Sequence, residues 1–177
     1  MSYIDFFHEV GKLKRLKRTG WVREGIPDVE SVAEHTYRVS VMAMILGKNL
    51  DMEKLLKMAL IHDLAEGTVG DLVIERGLKK DSEAKDKKEK LEKETMKNLC
   101  SKIKREDLFE LFLEYENQKS EEAIFLKDMD KLEMALQAYE YEKAHKKNLG
   151  EFFKNVKERL KDQELIKLFD EIILKRK

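Results

Sequence analysis

The chain has 177 residues, 42% of them hydrophobic, and its 36 Lys+Arg are balanced by 36 Asp+Glu. That apolar content supports a sizeable core and excludes a wholly disordered chain, while zero net charge argues against long nucleic acid as the partner, because such binders carry a basic excess. A single cysteine, Cys100, excludes an intramolecular disulfide; with no stretch near the ~18 apolar residues of a membrane span and no basic-then-apolar start, the expectation is a cytoplasmic protein.

Apolar residues recur at helical spacing, Pro27 is the one proline, and no hairpin signal repeats. The expectation is an all-α fold of six to eight helices in a single domain, residues 1–177. The first helix is read at about 2–17, with Phe6, Val10 and Leu13 on one stripe and the cations of 14–18 at its C-terminal end. A loop from Thr19 to Glu30 follows, of a length that often carries function. Ser31-Val32-Ala33-Glu34 is a capping box opening a helix to about Gly47. Asp51 is the N-cap of the next helix, about 52–66, with Gly67 as its terminator. Its residues Leu55, Leu56, Met58, Ala59, Leu60, Ile61, Leu64 and Ala65 are apolar nearly all round, which reads as buried.

The charged run 79–94 reads either as the solvated face of a helix continuing to Ile103 or as a mobile segment. A short helix follows near 106–116. Ser120 opens a long one to about Lys147, with Ile124, Phe125, Leu132, Ala135, Leu136 and Tyr139 buried. Amphipathic helices near 150–161 and 163–175 complete the core or form a subunit interface.

His62-Asp63 is the anomaly, two polar residues in the most apolar helix. Left unpaired, a buried polar group costs ~1–3 kcal/mol, so both need partners. One answer is structural, bonding to a helix end or neighbour; the other is a metal ion that satisfies both at once. Three residues weigh toward the metal. His35 lies one turn inside the capped helix, Asp130 interrupts the apolar stretch of the long helix, and Glu66 lies four residues after His62 on the same face. Two His and two Asp suit a divalent first-row metal with open or water-filled positions. Neighbouring side chains on a helix point ~100° apart, so His62 and Asp63 share one ion only in a crevice near a helix end.

The ordered set of His35, 26 intervening residues, His62-Asp63, 66 intervening residues and Asp130 resembles the HD-domain metal-dependent phosphohydrolases, and among them the 5′-deoxynucleotidases. Matching segments are Leu16-Lys17-Arg18-Thr19-Gly20-Trp21, Glu30-Ser31-Val32-Ala33-Glu34-His35, Ile61-His62-Asp63-Leu64-Ala65-Glu66, Gly70-Asp71, Glu114-Tyr115-Glu116 and Lys127-Asp128-Met129-Asp130. The resemblance covers about 5–145, the expected catalytic core, and leaves the C-terminal helices at about 150–175 without diagnostic residues.

What it implies is an HD-domain helical bundle hydrolysing deoxyribonucleoside 5′-monophosphates to nucleoside and phosphate. His35, His62, Asp63 and Asp130 match the metal ligands. Glu66 matches the catalytic carboxylate, and Asp71 a second acidic residue needed for activity near the sugar. Arg18 matches a phosphate-binding arginine. Trp21 resembles a tryptophan that helps select deoxyribose, although Thr19 and Gly20 separate it here from Arg18. Glu116, rather than Glu114, matches an acidic residue near the nucleotide. The implied cofactor is one divalent transition metal, cobalt or manganese first, with zinc, nickel, iron or magnesium as alternatives. The implied assembly is a homodimer, with a small nucleotide as substrate and no membrane. The rival readings are an HD hydrolase acting on a nucleoside triphosphate, cyclic nucleotide or alarmone, and a helical adaptor that holds a metal without turnover.

Overall fold

Ser2 accepts from the Asp5 N–H while the Asp5 carboxylate accepts from the Ser2 N–H, and this capping box starts α1, Tyr3–Lys12. The computed structural model describes residues 2–72 and 80–176, with side chains except at 80–83. α1 is shorter than the 2–17 expected. The chain leaves it at Leu13, and Lys17 pairs with Ser31 as an isolated antiparallel bridge. The cations of 14–18 therefore lie beyond the helix rather than in its last turn.

The expected loop contains a short helix, α2, Thr19–Arg23. The Ser31–Glu34 capping box forms as read and opens α3, Val32–Leu46, which ends at Gly47. Asp51 caps α4, Met52–Ile61. Here the structure corrects the sequence reading, because α4 stops at His62 instead of running to 66. Glu66–Val69 form a separate short helix, α5. Gly67 is no terminator. It sits inside α5, where an added Cβ would lie 3.1 Å from the Glu9 carbonyl oxygen and 3.4 Å from Leu13, so glycine permits α1 and α5 to touch. Gly70 ends α5 with φ +90 and ψ 157, a region open essentially to glycine alone.

α6, Lys80–Lys102, bears out the helical reading of the charged run among the described residues; Lys79 lies outside them. α7, Glu106–Glu116, and α8, Glu121–His145, match the expected positions, and α9, Gly150–Lys157, and α10, Gln163–Arg176, close the chain. Among the described residues eight helices have eight residues or more, and α2 and α5 are the two shorter ones.

The larger core cluster joins α3, α4 and α8 to α9 and α10, with Val39, Met58, Met129, Phe153 and Leu165 inside it. The C-terminal helices thus complete the core. A second cluster packs Phe6, Ile61, Met96, Leu99 and Phe112 from α1, α4, α6 and α7. Not every residue expected inside is there. Leu60 is 59% and Ile124 40% exposed, so α4 has a solvent face after all.

Candidate metal centre

α3, the end of α4 and α8 pack together, and that packing brings the chemistry-bearing residues to one place. His35 is completely buried on α3. Its Nε2 lies 3.2 Å from Asp130 Oδ1 of α8 and 3.6 Å from Asp63 Oδ2. His62 Nε2 lies 3.2 Å from Asp63 Oδ2. Ligand atoms of His35, His62 and Asp130 all fall within 4.8 Å of one another. Asp63 lies outside that three-residue set, but its Oδ2 stands beside both imidazoles and 3.3 Å from Arg18 Nη1.

The two imidazoles are oriented from behind. His35 Nδ1 donates to Glu133 Oε2 at 2.6 Å, and His62 Nδ1 donates to the Ala59 carbonyl oxygen at 2.7 Å. Because α4 stops at His62, the Ala59 carbonyl has no helical N–H to accept and serves this purpose instead. Both acceptors require the proton on Nδ1, which leaves Nε2 as a lone pair. Among the described residues neither Nε2 has a hydrogen-bond partner, although both are buried. Lone pairs of two imidazoles and two neighbouring carboxylates repel one another; Arg18 on Asp63 and Lys131 on Asp130 offset part of this, and a cation between the imidazoles would offset the rest.

With no metal bound, the neighbouring carboxylates favour a proton on His35 in place of the Nε2 lone pair, so a proton and a metal ion compete for this position. Burial and the Arg18 cation push His35 down, but Asp130 and Glu133 outweigh them and raise it to about 10. Burial would raise Asp63, yet His62, Arg18 and His35 hold it well below the usual carboxylate range. The residues present fit a divalent ion of nitrogen/oxygen preference, with Glu133 as the carboxylate behind a ligating histidine.

Glu133 escaped the sequence reading, as did Arg38, which donates from Nε and Nη2 to Glu133 Oε1 at 2.9 and 2.7 Å. The signal was there: Glu133 lies three residues after Asp130, on the same helix face.

A cleft of about 340 Å³ opens beside these residues, lined by Arg18, His62, Asp63, Glu66, Asp71, Glu116 and Asp130 among others. A larger groove of about 450 Å³ lies elsewhere, between Leu46 and Glu164. Its buried Asp128 already accepts from the N–H groups of Lys161 and Asp162.

Arg18 Nη1 is 3.3 Å from Asp63 Oδ2 and 4.0 Å from Glu66 Oε2. Glu66 is buried at the start of α5, with Oε2 unpartnered. Burial, with Asp63 and Asp71 close by, pushes its carboxyl up to about 9 against the pull of Arg18 and Lys88. Asp71 accepts from the Thr19 N–H at 2.6 Å, and its carbonyl oxygen accepts from the Thr19 hydroxyl. It therefore anchors the segment that carries Arg18. Glu116 accepts from Lys127 Nζ at 2.9 Å at the cleft wall, whereas Glu114 pairs with Lys54.

Trp21 does not line the cleft. It is 3% exposed, donates from Nε1 to Glu30 Oε1 and packs on Tyr141 and Phe152. The sugar-selecting contact implied for it has no counterpart in this geometry, because α2 turns the indole toward the core.

A family model described as the HD domain matches residues 10–172. The chain belongs to the HD-domain family. This HD-domain protein is 44% identical over 154 residues to 5′-deoxynucleotidase HDDC2 of Dictyostelium discoideum, covering 80% of the chain and 78% of that relative. It is 38% identical over 177 residues to 5′-deoxynucleotidase HDDC2 of Homo sapiens, covering 97% and 84%. Its fold matches the solved structure of a conserved hypothetical protein from Pyrococcus furiosus with a TM-score of 0.78 at 35% identity, over 96% of this chain and 98% of that one.

Proposed function

We propose that this protein is a metal-dependent 5′-deoxynucleotidase, releasing phosphate from deoxyribonucleoside 5′-monophosphates. The observation that carries the reading is the proximity of His35, His62, Asp63 and Asp130 beside a cleft that also holds Arg18 and Glu66. Relatives named 5′-deoxynucleotidase at 38–44% identity supply the substrate class.

His35, His62, Asp63 and Asp130 would hold one divalent ion. Such an ion, when bound, lowers the pKa of water and offsets charge on a phosphoryl group. The protein's own residues do the rest. Arg18 stays cationic under the combined field of Asp63, Asp71, Asp130 and Glu66, against its burial. Its guanidinium offers a planar fork to phosphate oxygens. Asp71 holds Thr19, and so fixes where Arg18 enters the cleft. A Glu66 carboxyl poised above neutrality is suited to exchange a proton with the water that attacks phosphorus. Glu116 and Lys127 form the outer wall against which the nucleoside lies.

Cobalt and manganese are the expected activators among the several divalent ions, zinc, nickel, iron and magnesium included, that an imidazole-carboxylate set tolerates. The chain acts as one HD domain, its core at about 5–145 closed by the helices at about 150–175. Exposed apolar residues on α3, Tyr37, Met44 and Ile45, support a homodimer, and the one buried cysteine suits the cytoplasm. The deciding experiment is a phosphate-release screen with metal-stripped and metal-loaded protein across deoxynucleoside, ribonucleoside and other phosphates. Release from deoxynucleoside monophosphates only with metal is the expected result. Loaded protein that hydrolyses no deoxynucleotide would overturn the proposal.

A further inference from the structure

The charged run of α6 is not one solvated face. Lys85 and Lys90 side chains are 64% and 78% exposed, whereas those of Lys88 and Glu92 are 21% and 12% exposed. The spacing explains the division. Positions 88, 92, 96 and 100 recur every four residues, and Met96 and Cys100 are buried in the core. The inward stripe of α6 thus continues past its apolar part, and where it crosses the cleft it carries Lys88 and Glu92. A lysine at an inward position loses hydration and needs a compensating role.

Lys88 Nζ is 3.6 Å from Glu66 Oε1 and 3.4 Å from Glu92 Oε1. Arg18 approaches the other oxygen of Glu66, at 4.0 Å. Glu66 therefore lies between two cations, one brought by the 16–18 segment and one by α6. Neither of these contacts is short, so among the described residues the Lys88 N–H donors are only loosely engaged. A phosphate monoester is dianionic near neutral pH, and beside the candidate metal ligands one guanidinium, already shared with Asp63, leaves the α6 side of its oxygens without a direct donor unless Lys88 supplies it.

We propose that Lys88 is a second phosphate-binding residue of this cleft, meeting a phosphoryl oxygen from the α6 side while Arg18 meets it from the other. The inference deepens the phosphomonoesterase reading and rests on it. Ammonium groups bind phosphate as point charges, without the planar geometry of arginine. Lys88→Arg should therefore retain much of the function, and Lys88→Met should not.

The test is calorimetric titration of inorganic phosphate into metal-loaded wild type, Lys88→Met and Lys88→Arg, with kcat and KM measured in parallel. Loss of one charge-assisted contact predicts phosphate binding weaker by about ten- to a hundredfold in Lys88→Met. KM for the deoxynucleotide should rise with it, Lys88→Arg should lie near wild type, and melting temperatures should stay close together. Unchanged phosphate affinity in Lys88→Met overturns the inference, even if the wild type is an active nucleotidase. A matching loss in Lys88→Arg, or a loss accompanied by a large fall in melting temperature, assigns Lys88 to holding α6 and also overturns it. Wild type that binds phosphate but hydrolyses no nucleotide overturns the proposed function instead, and the titration still reads Lys88.

Discussion

Single side chains in this site differ in what they should cost. Among the described residues the Glu66 carboxylate is paired with cations, Lys88 at 3.6 Å and Arg18 at 4.0 Å, and with none of the four candidate metal ligands. Glu66→Ala should abolish turnover while elemental analysis still finds metal. An adaptor would show no turnover to lose, and wild-type activity in the variant would remove Glu66 from the chemistry. Asp63→Ala deletes the carboxylate that stands beside both imidazoles. Metal content and thermal stability should fall together, because the ion and the buried lone pairs stabilise each other; full metal occupancy in that variant would count against the site. Glu133 acts at one remove. It fixes the His35 tautomer and is itself neutralised by Arg38. Glu133→Gln preserves the shape and deletes the charge. Losses of about ten- to a hundredfold in metal affinity are usual for such partners, and a metal titration monitored by calorimetry reads this directly. Equal affinity would reduce Glu133 to a link between α3 and α8.

Elements were legible where a local rule governs them. The Ser31–Glu34 box, the Asp51 and Ser120 caps and the bounds of α7 and α8 follow from residues three or four apart, and the structure has them as read. The break of α4 at His62 was not legible, because Leu64 and Ala65 continue the apolar pattern and only packing of α5 on α1 bends the chain there. That His35, His62, Asp63 and Asp130 lie near one another was legible from residue type and order, while Glu133, Lys88 and the turning-in of Trp21 depend on which face of a helix meets which neighbour. One element yields a pH-dependent prediction. The Ser31 backbone N–H and hydroxyl, bonded to the Glu34 carboxylate, lower it below its ordinary 4.5, with burial opposing. A carboxyl lowered on folding adds stability above its unfolded value, and that stability is lost as pH falls through the folded value. Ser31→Ala should cost about 1 kcal/mol at neutral pH. Urea unfolding should show the gap to wild type narrowing as pH falls below the ordinary 4.5 of a glutamate and through the lowered folded value. A gap that widens on acidification would mean the ionised Glu34 contributes nothing to the cap.

At the scale of the whole molecule, three stretches distant in sequence are drawn to one point that carries an excess of carboxylates. Asp63, Glu66, Asp130 and Glu133 have Arg18, Arg38, Lys88 and Lys131 as nearby cations, and the adjoining cleft is lined by seven carboxylates against five cationic side chains. Helix packing holds these groups together against their repulsion, so a dication on His35, His62, Asp63 and Asp130 would stabilise the fold as well as equip it for chemistry. In the unfolded chain the same residues are scattered, and binding is confined to the native state. At a metal concentration about a hundred times Kd, linkage adds about 2.7 kcal/mol. For a chain of this size that corresponds to a rise in Tm of roughly 5–10 °C. Melting metal-stripped protein against increasing manganese or cobalt should show this rise, continuing with the logarithm of concentration. The same titration on His35→Ala should be flat, because the buried Nε2 that faces both Asp63 and Asp130 is gone. Coincident melts for stripped and loaded wild type, or an undiminished rise in His35→Ala, would place any bound metal somewhere other than the junction of α3, α4 and α8.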